Sequence, residues 1–258
     1  MNNGNSIEKT DIGTENLMDN LSAEIDQFSI LSKIPYVTLS FGMSLDGKIA
    51  TKTGDSKYIS GTESRQFVHR LRHLHDAILV GINTVMIDHP SLTTRLEGFQ
   101  GKDAHRILLD STLKINLDER IIAQKSSANT IVVTRVSSDS MKKAALRSLG
   151  VIVVEIEDPS VPLNLHEALT KIKSLGIDSI LVEGGSTVHF SFIKNGLFRR
   201  LYATVSPIII GGDTAKSAVG GEGFPTLLES ARLDFIKCEK VGPDYILEAI
   251  PKNRKNIE

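Results

Sequence analysis

The sequence predicts an α/β fold built on a mostly parallel sheet, with helices on both faces and antiparallel strands at its C-terminal end. Apolar runs of strand length alternate with helical segments through the middle of the chain. Three of the helical segments are predicted to end near Gly150, Gly176 and Gly196, because glycine commonly terminates a helix. The last two apolar runs, 200–211 and 244–250, have no clear helix between them, which favours antiparallel pairing.

The elements follow one another from the N-terminus. Residues 1–15 are polar and are expected to lack regular structure. A short amphipathic helix is then predicted by apolar residues at helical spacing, namely Leu17, Leu21, Ile25, Phe28 and Leu31. Strands are expected at 36–41, 77–81, 106–110, 130–134, 151–156, 178–183, 200–211 and 244–250. Helices are expected at 62–75, 139–149, 164–175 and 186–195. No repeat or linker interrupts this series, so we expect one domain at 35–251, between an N-terminal segment (1–34) and a C-terminal tail (252–258).

Composition limits the classes of function. Thirty basic and 31 acidic residues give a net charge of −1, so no global field attracts nucleic acid or an anionic membrane. The one cysteine, Cys238, excludes internal disulfides and a multi-cysteine zinc site. No apolar run has the length of a membrane span, and the N-terminus lacks the apolar stretch of a secretory signal. We therefore expect a cytoplasmic protein that binds neither nucleic acid nor membrane.

Two remote segments each end an apolar strand in glycine. Residues 180–186 run from Ile-Leu-Val into Glu183 and two glycines, and residues 77–85 pass through Gly81. Glycine allows a ligand to approach the backbone, and a helix that begins there presents unpaired N–H groups to an anion. A tight turn without function is the alternative. Glu183 favours function, because a carboxylate at the end of an apolar strand needs a partner or a ligand. The pattern predicts a cleft that holds a phosphorylated cofactor beside a phosphorylated substrate.

The helix at 65–75 is strongly basic. His69 and His73 lie four residues apart on one face, as metal ligands can. No third ligand accompanies them, so a solvated face is the favoured interpretation and no metal is predicted. Arg72 lies near the end that leads to the next strand, where a bidentate phosphate contact would suit it. A dinucleotide fingerprint, a P-loop and a Gly-x-Ser-x-Gly elbow are all absent from the sequence.

An ordered set of short motifs makes the chain resemble the pyrimidine reductases of riboflavin biosynthesis, most closely the fungal and archaeal type. Singly each motif is weak, but together they span residues 36–212 in the order that the family expects. The motifs are Ser44-Leu45-Asp46-Gly47-Lys48-Ile49, Tyr58-Ile59-Ser60, Leu71-Arg72 with Asp76-Ala77-Ile78-Leu79-Val80-Gly81, Thr84-Val85, Asp88-His89-Pro90-Ser91-Leu92-Thr93 with Arg95, Arg106-Ile107-Leu108-Leu109-Asp110, Leu181-Val182-Glu183-Gly184-Gly185 and Pro207-Ile208-Ile209-Ile210-Gly211-Gly212.

The resemblance implies a dihydrofolate-reductase-like fold, NADPH as hydride donor and a homodimer. It implies as substrate a phosphorylated pyrimidine, 2,5-diamino-6-(ribosylamino)-4(3H)-pyrimidinone 5′-phosphate, reduced to its ribitylamino form. The positions that match cofactor contacts are Gly42, Tyr58, Thr84, Asp88, Val182, Gly184, Gly185 and Ser186. Those that match substrate contacts are Ser56, Arg72, Leu92, Arg95 and Glu183. We expect Arg72 and Arg95 to clamp the sugar phosphate and Glu183 to act as the catalytic residue. Arg135, just past a strand, is our candidate for the 2′-phosphate of NADPH.

Bifunctional relatives of this family carry a zinc deaminase domain with a His-x-Glu…Pro-Cys-x-x-Cys signature. One cysteine cannot supply it, so we expect a stand-alone reductase whose substrate still has its 2-amino group. A reductase acting on the deaminated pyrimidine, 5-amino-6-(ribosylamino)uracil 5′-phosphate, is an alternative. A non-catalytic NADPH-binding protein is another, although a sensor would have no use for a second, phosphate-sized pocket.

Overall fold

The structure is a computed structural model that describes residues 12–96, 101–157 and 163–252, without the side chains of 12–17 and 19. Its helices are α1 (Ile12–Leu31), α2 (Thr62–Leu74), α3 (Ile82–Asp88), α4 (Arg120–Ala123), α5 (Ser140–Ser148), α6 (Leu165–Lys173) and α7 (Ser186–Asn195). Its strands are β1 (Tyr36–Ser44), β2 (Ala77–Gly81), β3 (His105–Leu109), β4 (Thr130–Arg135), β5 (Ile152–Ile156), β6 (Ser179–Gly184), β7 (Arg200–Ser206), β8 (Leu233–Val241) and β9 (Asp244–Pro251).

The nine strands form one sheet in the order β5-β4-β3-β2-β6-β1-β7-β9-β8. Strands β5 through β7 in this order pair in parallel, whereas β9 pairs antiparallel with both β7 and β8. The predicted fold class, with its mostly parallel sheet and antiparallel C-terminal strands, is confirmed. Parallel strands need crossover connections, which the intervening helices provide.

Two parts of the C-terminal prediction are wrong. The strand expected at 200–211 ends at Ser206, because Pro207 has no N–H for the ladder. The chain then turns back, and the N–H groups of Ile210 and Gly211 donate to the Asp46 carboxylate at 3.0 and 2.7 Å. The edge strand β8 was not predicted, since its exposed residues lack a continuous apolar face. It forms a hairpin with β9.

The N-terminal helix is longer than predicted. Helix α1 begins at Ile12, so residues 12–15 are helical, while residues 1–11 lie outside the described chain, as do 253–258. Leu21 and Ile25 of α1 are buried, and Glu24 forms an ion pair with Arg200 on β7. The short helices α3 and α4 were also not predicted.

The two faces of the sheet carry separate cores. Alternate residues of a strand point to opposite faces. Leu79 and Ile107 accordingly pack in one cluster, whereas Ile78 and Leu108 pack in another, and all four are fully buried. Because the central strands run in one direction, the carboxyl ends of β2, β3 and β6 meet at one edge, where α3 and α7 begin.

Within the described ranges, no helix has both the length and the apolar character needed to cross a membrane.

Candidate functional site

The two glycine-bearing turns lie in contact, as the sequence predicted. Strand β2 pairs with β6 in parallel, and Val80 stands opposite Gly184 at the end of the pairing. Gly81 is the N-cap of α3 and Gly185 is the N-cap of α7. A Cβ on Gly81 would lie 2.7 Å from Val188 Cγ2, and one on Gly185 would lie 3.1 Å from Thr84 Oγ1. Side chains at these two positions would therefore force the helix starts apart.

A cavity of about 400 Å³ lies where the two helices begin. Its wall includes the first turn of α3, from Ile82 to Thr84, and the first turn of α7, from Ser186 to Val188. Neither helix start has a side-chain cap, because both N-cap residues are glycine. The uncapped first-turn N–H groups give each helix start a partial positive charge. The cavity is therefore suited to a ligand that carries phosphate groups.

Five of the residues predicted to bind cofactor or substrate line this cavity, namely Ser56, Thr84, Asp88, Gly185 and Ser186. The remaining cofactor candidates lie outside its lining. Val182 is fully buried in β6, and Gly184 beside it is also buried. Gly42 lies on β1, where a Cβ would be 3.8 Å from Ser60. Their predicted contacts with the cofactor stay predictions.

Tyr58 is displayed on the surface of the loop between β1 and α2. Its side chain is 76% exposed, and the Arg65 guanidinium lies over the ring, 4.6 Å from the centroid. Arg65 is itself fixed, since it donates to the carbonyl of Ser60 and to Thr62 Oγ1. The aromatic face is thus held beside the cavity but does not line it.

Arg72 and Glu183 form a fork-shaped ion pair next to the cavity. Arg72 Nε and Nη2 donate to the two carboxylate oxygens of Glu183, each at 2.6 Å, and Nη1 donates to the Thr93 carbonyl at 2.8 Å. Both side chains are about nine-tenths buried, at 13% and 14% exposure. Burial alone would lower the pKa of Arg72, but the adjacent Glu183 carboxylate raises it above its ordinary value. Three of the five Arg72 N–H groups are thus already bonded, which leaves two for the predicted phosphate contact.

The two histidines of α2 hold a neighbouring loop. The backbone N–H of Arg95 donates to His69 Nδ1 at 3.2 Å, and that of Lys102 donates to His73 Nδ1 at 3.0 Å. The favoured interpretation of a solvated face therefore has to be corrected. Burial, followed by the charges of Arg72 and Arg95, lowers the pKa of His69 to about 4, so its ring is a neutral acceptor. In the part of the chain that the structure describes, no group of three or more potential metal ligands occurs.

This loop brings the predicted substrate residues together. Thr93 bonds Arg72, and Arg95 bonds His69, so Arg95 is held near the Arg72–Glu183 pair while its own side chain is exposed. Leu92 has a φ of 49°, and its side chain is only 4% exposed because it packs in the hydrophobic core. Its predicted contact with substrate would have to use the backbone.

Sequence reasoning missed three polar residues of the cavity wall, Asn83, Thr187 and Lys216. Lys216 comes from the segment that follows β7, which is rich in glycine at 211, 212, 220, 221 and 223. That density of glycine was a usable signal of close backbone approach. Arg135 lies at the end of β4, outside the cavity lining, and its Nε and Nη2 are buried without a partner in the described structure.

Known proteins resemble this chain over most of its length. The family described as RibD C-terminal domain matches residues 35–247. A riboflavin biosynthesis protein RibD from Bacillus amyloliquefaciens is 40% identical over 223 residues, which cover 86% of this chain and 59% of the relative. A 2,5-diamino-6-ribosylamino-4(3H)-pyrimidinone 5′-phosphate reductase from Methanothermobacter thermautotrophicus is 36% identical over 215 residues, which cover 83% of this chain and 97% of the relative.

A solved structure of RibD from Acinetobacter baumannii aligns with a TM-score of 0.76 and 26% identity, over 91% of this chain and 64% of that one. The chain thus spans 59% and 58% of the two bacterial RibD relatives it matches first, but nearly the whole of the archaeal reductase. The matched region contains both glycine turns, the Arg72–Glu183 pair and the cavity between them. The chain belongs to the RibD C-terminal domain family.

Proposed function

We propose that this protein uses NADPH to reduce 2,5-diamino-6-(ribosylamino)-4(3H)-pyrimidinone 5′-phosphate to the ribitylamino compound in riboflavin biosynthesis. The observation that carries the proposal is the meeting of two uncapped helix starts at one cavity, directly beside a buried Arg–Glu pair. The archaeal relative, which is matched over 97% of its length, bears the name of this activity. Together they support a dinucleotide site next to a site for a phosphorylated pyrimidine.

The donors and acceptors of the cavity fit a nicotinamide dinucleotide. The first-turn N–H groups of α7 and the hydroxyls of Thr84 and Ser186 can donate to phosphate oxygens. The Asp88 carboxylate can accept from a ribose hydroxyl, and Ile49 and Ile87 offer apolar wall for a ring. When bound, the dinucleotide supplies the hydride that C1′ of the ring-opened imine receives. The proton that completes the amine comes from solvent, and we assign no side chain to that role.

Glu183 is suited to hold the amino edge of the pyrimidine. A carboxylate has about four acceptor sites, and the two Arg72 donors use one on each oxygen. One acceptor site therefore remains on each oxygen for the substrate's N–H groups. The pair also fixes the carboxylate in one orientation, so the substrate binds to a preorganised site.

Arg95 is suited to bind the sugar phosphate. Its backbone is held by His69, while its exposed guanidinium makes no ion pair with the described residues. We therefore assign the main phosphate contact to Arg95, with the two remaining Arg72 N–H groups in support.

We also propose that the protein is a homodimer. The edge strand β8 leaves one side of its backbone unpaired and exposes Phe235 by 70% and Ile236 by 54%. Beside it lies an apolar groove of about 510 Å³ whose lining includes Phe41, Phe198 and Leu247. An unpaired strand edge that carries two exposed apolar side chains favours pairing with another strand. Phe235→Lys should convert the dimer to a monomer in light scattering, and an unchanged mass would contradict this assignment.

The test of the activity is incubation of the purified protein with NADPH and each of the two pyrimidine phosphates. We expect loss of the nicotinamide absorbance band with the 2,5-diamino compound and a product heavier by two hydrogen atoms. Reaction with the deaminated compound alone would refute the proposed substrate. Reaction with neither, in a protein that binds NADPH, would refute the proposed catalysis.

A further inference from the structure

Lys216 lines the cavity from the segment that follows β7, outside both α3 and α7. Among the residues that line the cavity it supplies the one basic side chain, and Asp88 supplies the one acidic side chain. The Lys216 side chain is exposed and makes no hydrogen bond or ion pair with any residue in the described ranges. A cation without a partner in the structure is available to a ligand.

The backbone that carries Lys216 is fixed on both sides. The Lys216 carbonyl accepts from the Ile49 N–H at 2.8 Å, and the Ala218 N–H donates to the Gly47 carbonyl at 3.0 Å. Ala215 and Ala218, on either side, are each 4% exposed. The segment is thus held against the turn after β1, so Lys216 has a fixed origin and a free side chain.

The same segment also runs alongside the first residue of α7. The Gly220 N–H donates to the Ser186 carbonyl at 3.1 Å, and a Cβ on Gly220 would lie 2.9 Å from Ser186 Oγ. Lys216 and the first turn of α7 therefore occupy adjoining parts of one wall. The Lys216 ammonium and the partially positive start of α7 both add to the positive potential that an anion in the cavity would meet.

We propose that Lys216 binds the pyrophosphate of the dinucleotide cofactor, together with the first turn of α7. This inference rests on the proposed function. The pyrophosphate is favoured over the 2′-phosphate because Lys216 lines the same cavity as Ser186 and Thr187, at the helix start where the dinucleotide phosphates are expected, and because its segment contacts Ser186 through Gly220. An ammonium group serves this role as a point charge that a flexible stem can direct to either phosphate.

The experiment measures dissociation constants for NADPH and for NADH by fluorescence titration, so that its result does not depend on turnover. The variants are Lys216→Gln, which removes the charge, and Lys216→Arg, which keeps it. Lys125→Gln is the matched control, since Lys125 is an exposed lysine before β4, at the opposite edge of the sheet. We expect Lys216→Gln to weaken both dinucleotides by the same factor, about tenfold, as for loss of one charge-assisted contact.

Further readouts separate charge from structure. Lys216→Arg should bind both dinucleotides within about threefold of the wild type, because it keeps the charge. The difference in dinucleotide affinity between the wild type and Lys216→Gln should become smaller at high salt, since screening weakens the charged contact that only the wild type makes. Lys125→Gln should bind as the wild type does, and all variants should unfold at the same temperature.

Three outcomes would overturn the inference. In the first, Lys216→Gln binds both dinucleotides as tightly as the wild type does. In the second, Lys216→Gln loses affinity for NADPH alone, which would assign the side chain to the 2′-phosphate. In the third, the control variant Lys125→Gln shows the same loss of affinity as Lys216→Gln. A wild-type protein that binds neither dinucleotide would instead refute the proposed function. The two failures are therefore distinguishable.

Discussion

The Arg72–Glu183 pair can be tested by Arg72→Lys, which keeps the positive charge but removes the fork. A single ammonium group cannot make both parallel bonds to the carboxylate and also reach the Thr93 carbonyl. Each hydrogen bond to a charged group contributes about 1.5–3 kcal/mol. Lysine recovers one of the three contacts, and the slight exposure of the pair favours the lower end of this range, so the loss of two bonds should lower the free energy of unfolding by about 3 kcal/mol. Urea denaturation measures this quantity.

A double-mutant cycle with Glu183→Gln isolates the interaction itself, and we expect a coupling energy of about 2 kcal/mol. The matched control is the same cycle with Arg147→Lys and Glu155→Gln, because Arg147 pairs with Glu155 at 2.5 Å but is 49% exposed. An exposed pair of this kind contributes at most about 1 kcal/mol. A coupling energy for Arg72 and Glu183 no larger than that of the surface pair would refute our reasoning.

The same variant distinguishes two roles of Arg72 in the reaction. If Arg72 positions Glu183, Arg72→Lys should lower kcat about tenfold or more with a smaller change in KM, since misplacement of a positioned group is costly. If it acts mainly as a phosphate-binding charge, lysine should preserve kcat and change KM alone. The second result would return Arg72 to the phosphate clamp that the sequence suggested.

Three further predictions concern two other residues of the site and one buried histidine. Arg95→Ala should raise the KM for the pyrimidine phosphate about tenfold with unchanged NADPH affinity, because it removes a phosphate contact made outside the cavity; equal kinetics would contradict this role. Gly81→Ala should weaken NADPH binding in fluorescence titration, since its Cβ would lie 2.7 Å from Val188 Cγ2 and separate the helix starts; unchanged affinity would show that the turns adjust freely. Burial lowers the pKa of His75 from 6.5 to about 4, so the stability it contributes is present above pH 6.5 and is lost as the pH falls toward 4. The full loss of this stability is about 3 kcal/mol. The free energy of unfolding, measured by urea denaturation, should therefore depend more steeply on pH in the wild type than in His75→Gln.

The sequence predicted the central fold because β2, β3, β4 and β6 are apolar on both faces, and continuous apolar runs identify buried parallel strands. It could not reveal β8, whose residues are largely exposed at an edge. The contact between the two glycine turns followed from their positions at the ends of strands.

The partners of individual side chains were less predictable. Arg72 and Glu183 are 111 residues apart, and their pairing depends on how α2 packs beside the end of β6. The bonds from His69 and His73 to loop backbone likewise depend on where that loop lies. Such contacts arise from tertiary packing, which spacing along the chain does not encode.

Asp46 unites two of the motifs that the sequence displays as separate. Its carboxylate accepts from Ser44 Oγ within its own turn and from Ile210 and Gly211 across the molecule, and these bonds lower its pKa to about 2. The turn after β1 and the loop after β7 are therefore a single mechanical unit. An exchange of the 207–221 loop between related enzymes to alter ligand preference should therefore include the 44–48 turn, since either segment alone would lose the hydrogen bonds that join Asp46 to Ile210 and Gly211.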